Sequence, residues 1–108
     1  MGTDSDMQKH NVNSRQDFFA VLDTAHQTQT AVMTLKPGQE SGEKGNEHAQ
    51  SDQVLYVISG ELNAEIGSES GTLRAGDVVI IPAGAPHRFR NSGEATVQTL
   101  NVYAPPAY

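Results

Sequence analysis

Short turn signals return at regular intervals along this sequence, and they limit the fold more than any other feature. Pairs and clusters of Gly, Pro, Ser and Asn separate apolar or alternating segments that are too short for ordinary helices. These turns stand at residues 37–38, 59–60, 67–71, 75–77, 82–86 and 92–93. The pattern predicts an all-β fold, an antiparallel sandwich or small β-barrel in which each strand has one inner face.

The predicted strands lie between these turns. Residues 27–35 alternate in polarity, with Ala31, Met33 and Leu35 on one face. Residues 54–58 are apolar on both faces, which predicts a strand covered on both sides by sheet or by a partner subunit. The remaining predicted strands are 61–66, 72–74, 78–81, 87–91 and 95–103.

The N-terminal part of the chain departs from this pattern. Ser14, followed three residues later by Asp17, resembles a helix start, and apolar residues between 18 and 22 supply a stripe. We therefore predict one short N-terminal helix there. Residues 1–13 are polar and predict a flexible arm, which leaves 14–108 as a single barrel domain.

Composition narrows the classes of partner. The formal net charge of −6 and the absence of a Lys/Arg cluster argue against nucleic acid and anionic membranes as partners. The chain has no cysteine, so neither a disulfide nor a thiolate ligand is available. The polar N-terminus lacks the apolar run of a signal peptide or membrane anchor, and we expect a cytoplasmic protein.

Polar side chains at period two stand beside apolar segments and mark the candidate site. Asn46 and His48 share one face of an extended segment, while His87, Phe89 and Asn91 share a face further along the chain. An inward His beside an inward Phe is typical of a lined pocket. Either His alone also fits a half-buried or surface imidazole with no role in binding.

Residues 76–91 match a known motif at every defined position. Their sequence, GDVVIIPAGAPHRFRN, resembles the second signature of the cupin superfamily, G-x5-P-x-G-x2-H-x3-N. Residues 46–60 resemble part of the first signature, with His48 as its second His and Gly60 as its closing Gly. Asn46 stands in the place of the first His and Gln53 in the place of the Glu. The resemblance covers nearly the whole chain from about residue 27 onward.

The resemblance implies a double-stranded β-helix, or jelly roll, with a divalent metal at the mouth of the barrel. Matched position by position, the resemblance to the two cupin signatures assigns four metal ligands: His48, His87, Gln53 and Asn46. Two imidazoles and two amides bring no charge to balance a dication, so a zinc, nickel, iron or manganese ion would be bound weakly. Glu47 as an alternative ligand, or an anionic ligand molecule, would restore the charge. Without metal, the same four side chains form a hydrogen-bonding lining.

Apolar residues complete the predicted pocket. Its wall is predicted from one face of the neighbouring strands, at Met33, Leu35, Leu55, Val57 and Phe89. The opposite face of 54–58 would expose a patch on so small a barrel, and we expect a homodimer to cover it. The segment from Tyr103 to Tyr108 could reach across that contact.

Two functions are compatible with this site. The first is a binding module that holds a small polar or anionic metabolite without changing it. The second is a metal-dependent enzyme, an isomerase, lyase or dioxygenase acting on a small polar substrate. The sequence shows no inward carboxylate that could serve as a base, which favours binding.

Overall fold

Antiparallel strands form most of the regular structure in the computed structural model, which describes residues 7–41 and 49–108. Eight strands lie within these residues, joined by short turns. They are β1 (Phe19–Thr24), β2 (Gln29–Leu35), β3 (Asp52–Ser59), β4 (Glu61–Ile66), β5 (Glu69–Arg74), β6 (Val78–Ile81), β7 (His87–Arg90) and β8 (Val97–Ala104).

The strands divide into two sheets that enclose one core. The larger sheet has the order β1-β2-β8-β3-β6, and the smaller has the order β5-β4-β7. Inward side chains of both sheets meet in a hydrophobic cluster that excludes water, which is the main favourable contribution to folding. Its buried members are Met33, Leu35, Leu55, Val57, Leu62, Ala64, Ile81, Phe89 and Val97. The all-β jelly-roll prediction is confirmed.

The predicted N-terminal helix is wrong. The described residues contain a single short 3-10 helix, Val12–Ser14, capped by the Asn11 side chain. The apolar residues after it form β1, which pairs with β2 so that Phe19 lies opposite Met33. Apolar residues at this spacing fit a helix and a strand alike, and the backbone hydrogen bonds offered by β2 decide the outcome. No helix in residues 7–41 and 49–108 has the length and apolar character needed to cross a membrane.

The other predicted strands are found, most of them with shifted ends. β4 and β6 begin and end where the sequence places them. β3 is longer than predicted at both ends, because Asp52 and Gln53 pair with Ala104 and Tyr103 of β8. β5 begins at Glu69, so the predicted turn at 67–71 is shorter and is made at Gly67, which has a positive φ.

The two faces of β3 have different surroundings. Gln53, Leu55 and Val57 are buried against the interior, whereas Tyr56 on the outer face is 41% exposed. Neither of the two sheets in the described ranges covers that outer face, so within one chain the strand is covered on one side only.

Asn91 closes the barrel beside the end of β7. Its side chain is fully buried, and its Nδ2 donates hydrogen bonds to the carbonyls of Leu35 and Ala95. Its Oδ1 accepts a hydrogen bond from the Gly93 amide. The last residue of the second motif therefore stabilises the connection between β7 and β8, because it satisfies backbone groups that would otherwise be buried without partners.

Candidate functional site

A cavity of about 110 Å³ opens at one end of the barrel. The strands β1, β2, β3, β7 and β8 contribute to it, together with residues before β1 and after β8. Its lining residues are Phe18, Phe19, Met33, Ser41, Gln53, His87, Phe89, Tyr103 and Tyr108. Ser41 belongs to the wall because its backbone and Oγ both bond to the backbone of Phe89.

Two of the four sequence-predicted ligands line this one cavity. Gln53 lies at the start of β3 and His87 at the start of β7, in different sheets. The fold thus brings together residues that are far apart along the chain. The other predicted ligands, Asn46 and His48, lie outside the described residues, as does Glu47.

The predicted apolar wall is only partly found at the cavity. Met33 and Phe89 line it. Leu35, Leu55 and Val57 are instead fully buried members of the core and do not line it. Leu35 is the next inward residue after Met33 in β2, and Leu55 and Val57 are the next inward residues after Gln53 in β3. They lie deeper in the barrel, where the two sheets pack tightly.

A relay of buried hydrogen bonds sets the orientation of the Gln53 amide. Gln53 Nε2 donates to Asn101 Oδ1 at 2.9 Å, and Asn101 Nδ2 donates to Thr99 Oγ1 at 3.0 Å. Thr99 Oγ1 lies 3.5 Å from the carbonyl oxygen of Met33, to which it donates. The NH2 group of each of the two amides therefore faces the next residue of the relay. The oxygen of Gln53 then points away from Asn101.

The oxygen of Gln53 is a buried acceptor without a partner among the described residues. The side chain is 4% exposed, and Oε1 accepts no hydrogen bond in this part of the chain. A buried polar atom in this state costs about 1–3 kcal/mol relative to a satisfied one. Because the side chain lines the cavity, a ligand that supplies a donor or a cation would recover this free energy.

His87 is oriented by the turn that precedes β7. Its Nδ1 lies 3.0 Å from the Ala85 carbonyl, and because a carbonyl oxygen can only accept, Nδ1 is the donor of this hydrogen bond. The turn is closed by the Ala85 amide, which donates to the Pro82 carbonyl, and is held by Asp52 Oδ1, which accepts from the Ala83 amide. Asp52 directly precedes Gln53, and this aspartate therefore links the two cavity residues. Its role was not predicted, because nothing local in the sequence marks it.

Aromatic rings surround the entrance of the cavity. The Tyr108 ring lies 4.7 Å from that of Phe19 and 5.2 Å from that of Tyr103, and the His87 and Phe89 rings are 5.8 Å apart. Gln29 holds the backbone of residue 108 in place by accepting from its amide and donating to its oxygen. Tyr103 and Tyr108 both line the cavity of their own chain, and the expected contact of this segment with another subunit stays a prediction.

The family model for the cupin domain matches residues 31–103 of this chain. The chain belongs to the cupin family. Among the solved structures, it resembles the protein TT1209 from Thermus thermophilus, with a TM-score of 0.78 and 28% identity. That similarity covers 92% of this chain and 98% of the other.

Two Streptomyces proteins illustrate the curated relatives of this cupin. An uncharacterised protein of Streptomyces coelicolor is 39% identical over 59 residues, which are 55% of this chain and 54% of that protein. The polyketide synthase CurC of Streptomyces cyaneus is 32% identical over 71 residues, which are 66% of this chain and 45% of that protein. The cupin thus spans about half the length of the curated relatives it matches.

The described donors of this cupin do not by themselves make a metal centre. The cavity offers one imidazole, from His87, and one neutral amide oxygen, from Gln53. In the described ranges, no group of three or more His, Cys, Asp or Glu side chains could hold an ion. Two neutral donors leave a dication both under-coordinated and uncompensated in charge.

A larger groove lies elsewhere on this cupin, on the outer side of β1 and β2. Its volume is about 380 Å³, and its wall includes His10, Leu22, Asp23 and Leu100. His10 Nε2 lies 3.6 Å from Asp23 Oδ2, and both side chains are partly exposed. The groove exceeds the barrel-mouth cavity in size, but none of the described residues that line it has a buried side-chain polar atom without a partner. We therefore place the candidate site at the barrel mouth.

Proposed function

We propose that this cupin domain binds a small polar molecule in the cavity at the barrel mouth. The observation that carries the proposal is the Gln53 oxygen, a buried acceptor without a partner in the described residues, on a side chain that lines the cavity. Buried polar atoms in natural folds usually have a partner from the protein, from ordered water or from a ligand, and the cavity gives a ligand access to the Gln53 side chain. His87 is the second polar contact, with its ring held by the Ala85 carbonyl.

The chemistry of the cavity supports binding more than turnover. No carboxylate is among the described residues that line it, which leaves the imidazole of His87 as the candidate general acid or base there. Gln53 offers a neutral acceptor, which suits a neutral donor group better than an anion. These properties favour a polar ligand over a strongly anionic one.

A metal-dependent enzyme is the second candidate. The observation that favours it is the same pair, since His87 and Gln53 stand at two positions that correspond to cupin ligands and both line the cavity. His48 and Asn46, or Glu47 as a charged alternative, would have to complete the set. The name of the Streptomyces cyaneus relative, a polyketide synthase, is also that of an enzyme.

Nuclear magnetic resonance can test the binding proposal directly. We would titrate ¹⁵N-labelled protein with phenol, glucose, benzoate and inorganic phosphate, each at millimolar concentration. We expect at least one probe to shift amide signals of cavity residues such as Gln53, His87 and Phe89. Shifts confined to the groove around His10 and Asp23, or no shifts with any probe, would contradict the proposal.

Elemental analysis separates the two candidates. The native protein, His87→Ala and the control His26→Ala would be incubated with zinc, nickel, iron or manganese, desalted and analysed. His26 is an exposed residue outside the cavity. One equivalent of metal in the native protein and the control, but not in His87→Ala, supports the metal-dependent enzyme. No bound metal in the native protein contradicts that candidate and leaves the binding module.

A further inference from the structure

The aromatic residues of this chain are concentrated at one place. The sequence contains three Phe, three Tyr and no Trp. Five of these six rings line the barrel-mouth cavity. They come from β1 and the residue before it, from β7, from β8 and from the segment after β8. Only Tyr56, on the outer face of β3, lies elsewhere.

Core packing explains only three of these five rings, since Phe89 and Tyr103 are buried and Phe19 packs against the core cluster. Phe89 is fully buried, but Phe18 is 47% exposed and Tyr108 is 57% exposed. Rings placed to fill the core would be covered by the sheets, whereas these two lie half in solvent around the entrance of the cavity. Aromatic faces and edges pair well with another π system at centroid separations of about 4.5–7 Å. The exposed rings therefore offer surface for a flat ligand.

The volume of the cavity limits the size of that ligand. About 110 Å³ is well below the roughly 300–1,000 Å³ of pockets that hold drug-sized molecules. It is of the same order as the roughly 150 Å³ apolar cavity in which benzene binds. The volume therefore suits a single six-membered ring better than a fused ring system.

The hydrogen bonds of Gln53 determine which substituent the ligand ring should carry. One N–H of Nε2 donates to Asn101, whereas Oε1 has no partner among the described residues, so the Gln53 side chain lacks a hydrogen-bond donor to its oxygen. An acceptor is satisfied by an O–H or N–H group, and it repels a carboxylate. An ether or a methyl group at the same place would leave the oxygen buried without a partner.

We propose that the cavity binds a single planar unsaturated ring that carries a hydroxyl or amino donor, for which phenol is the simplest probe. The proposal rests on the proposed function, since it names the ligand class of the same cavity. The rings around the entrance pack against the ligand ring, and its donor bonds to Gln53 Oε1.

Three probes of similar size test the two halves of the proposal in the unmodified protein. Phenol has the ring and the donor, anisole has the ring without the donor, and cyclohexanol has the donor without the π system. We expect phenol to bind about tenfold more tightly than either of the others, as measured by shifts of cavity amides. If anisole binds as tightly as phenol, the ligand needs no hydrogen-bond donor and the proposal is wrong. If cyclohexanol binds as tightly as phenol, the ligand needs no aromatic ring and the proposal is equally wrong.

Variants locate the donor contact. In Gln53→Leu, we expect the affinity for phenol to fall to that for anisole. The control is Gln98→Leu, which removes another buried amide that bonds to the carbonyls of Val12 and Arg15 rather than to the cavity. An unchanged preference for phenol in a folded Gln53→Leu protein would overturn the role of Gln53. Should that variant not fold, the comparison of phenol with anisole decides alone.

Different binding results would contradict the ligand class and the proposed function. If glucose or another saturated probe binds at the cavity and phenol does not, the inference is wrong and the binding function stands. If no probe shifts any cavity residue, both are wrong.

Discussion

At the scale of single residues, Gly60 sets how closely the β3–β4 turn approaches the start of β8. Its φ is +86°, a conformation that costs other residues about 1–2 kcal/mol. A Cβ at this position would lie 2.8 Å from both the carbonyl oxygen of Thr96 and Cγ2 of Val97. Two reasons therefore require glycine at this last position of the first motif: the positive φ and the close contact with the start of β8.

We predict that Gly60→Ala lowers the free energy of unfolding by about 3 kcal/mol or more, because conformational strain and a steric clash add. The measurement is chemical denaturation. Gly38→Ala is a matched control, since Gly38 has nearly the same φ, +87°, and no described atom lies within 4 Å of the added Cβ. We expect the control to lose only about 1–2 kcal/mol. Equal losses in the two variants would show that the contact with β8 has no cost.

At the scale of elements, the segment of residues 105–108 forms part of the cavity entrance although it belongs to no strand. Gln29, a buried residue at the start of β2, accepts hydrogen bonds from the amides of Ala107 and Tyr108 at 3.1 and 2.9 Å. Its Nε2 donates to the oxygen of Tyr108 at 2.8 Å. One buried amide therefore holds the segment that carries the Tyr108 ring.

We predict that Gln29→Leu increases the hydrogen-exchange rates of the Ala107 and Tyr108 amides by roughly tenfold, because their acceptor is removed. Amide exchange followed by nuclear magnetic resonance gives both rates. Gln98→Leu, which alters an amide bonded to the Val12 and Arg15 carbonyls, should leave them unchanged. If Gln29→Leu keeps the native protection, the ring contacts of Tyr108 hold the segment instead.

The elements that the sequence predicts well are those bounded by Gly and Pro. β4 and β6 are correct at both ends because turns flank them closely. The N-terminal helix is wrong because the apolar spacing before Leu22 fits two structures, and pairing with β2 is invisible in a local pattern. For the same reason the sequence identifies Gln53 and His87 as site residues but not Phe18, Phe19 or Tyr108, which reach the cavity only through contacts distant in the chain.

At the scale of the whole molecule, one apolar surface is left open on the larger sheet. β6 is an edge strand of that sheet, and its side chains Val78 and Ile80 are 59% and 63% exposed. Tyr56 of the neighbouring β3 extends this surface. Exposed apolar surfaces of this kind associate readily, and the same surface of a second copy can pack against it about a twofold axis. The homodimer expected from the sequence remains a prediction, and this surface is where we place it.

We predict that the native protein sediments as a dimer in analytical ultracentrifugation and that Ile80→Glu sediments as a monomer, because a charge would be buried in the interface. Thr72→Glu is the control, since Thr72 is an exposed strand residue of the smaller sheet. A native monomer at all concentrations would contradict the dimer. A dimer that persists in Ile80→Glu would place the interface on another surface.

We expect a small ring to bind inside the barrel mouth, among residues brought there by β2, β3 and β7. Intermolecular nuclear Overhauser effects between phenol protons and the side chains of the labelled protein test for this binding. We predict contacts from the phenol ring to the methyl group of Met33 and the ring of Phe89, both of which line the cavity. Contacts to Leu22 and Leu100 of the outer groove, without any to Met33 or Phe89, would contradict binding inside the barrel mouth.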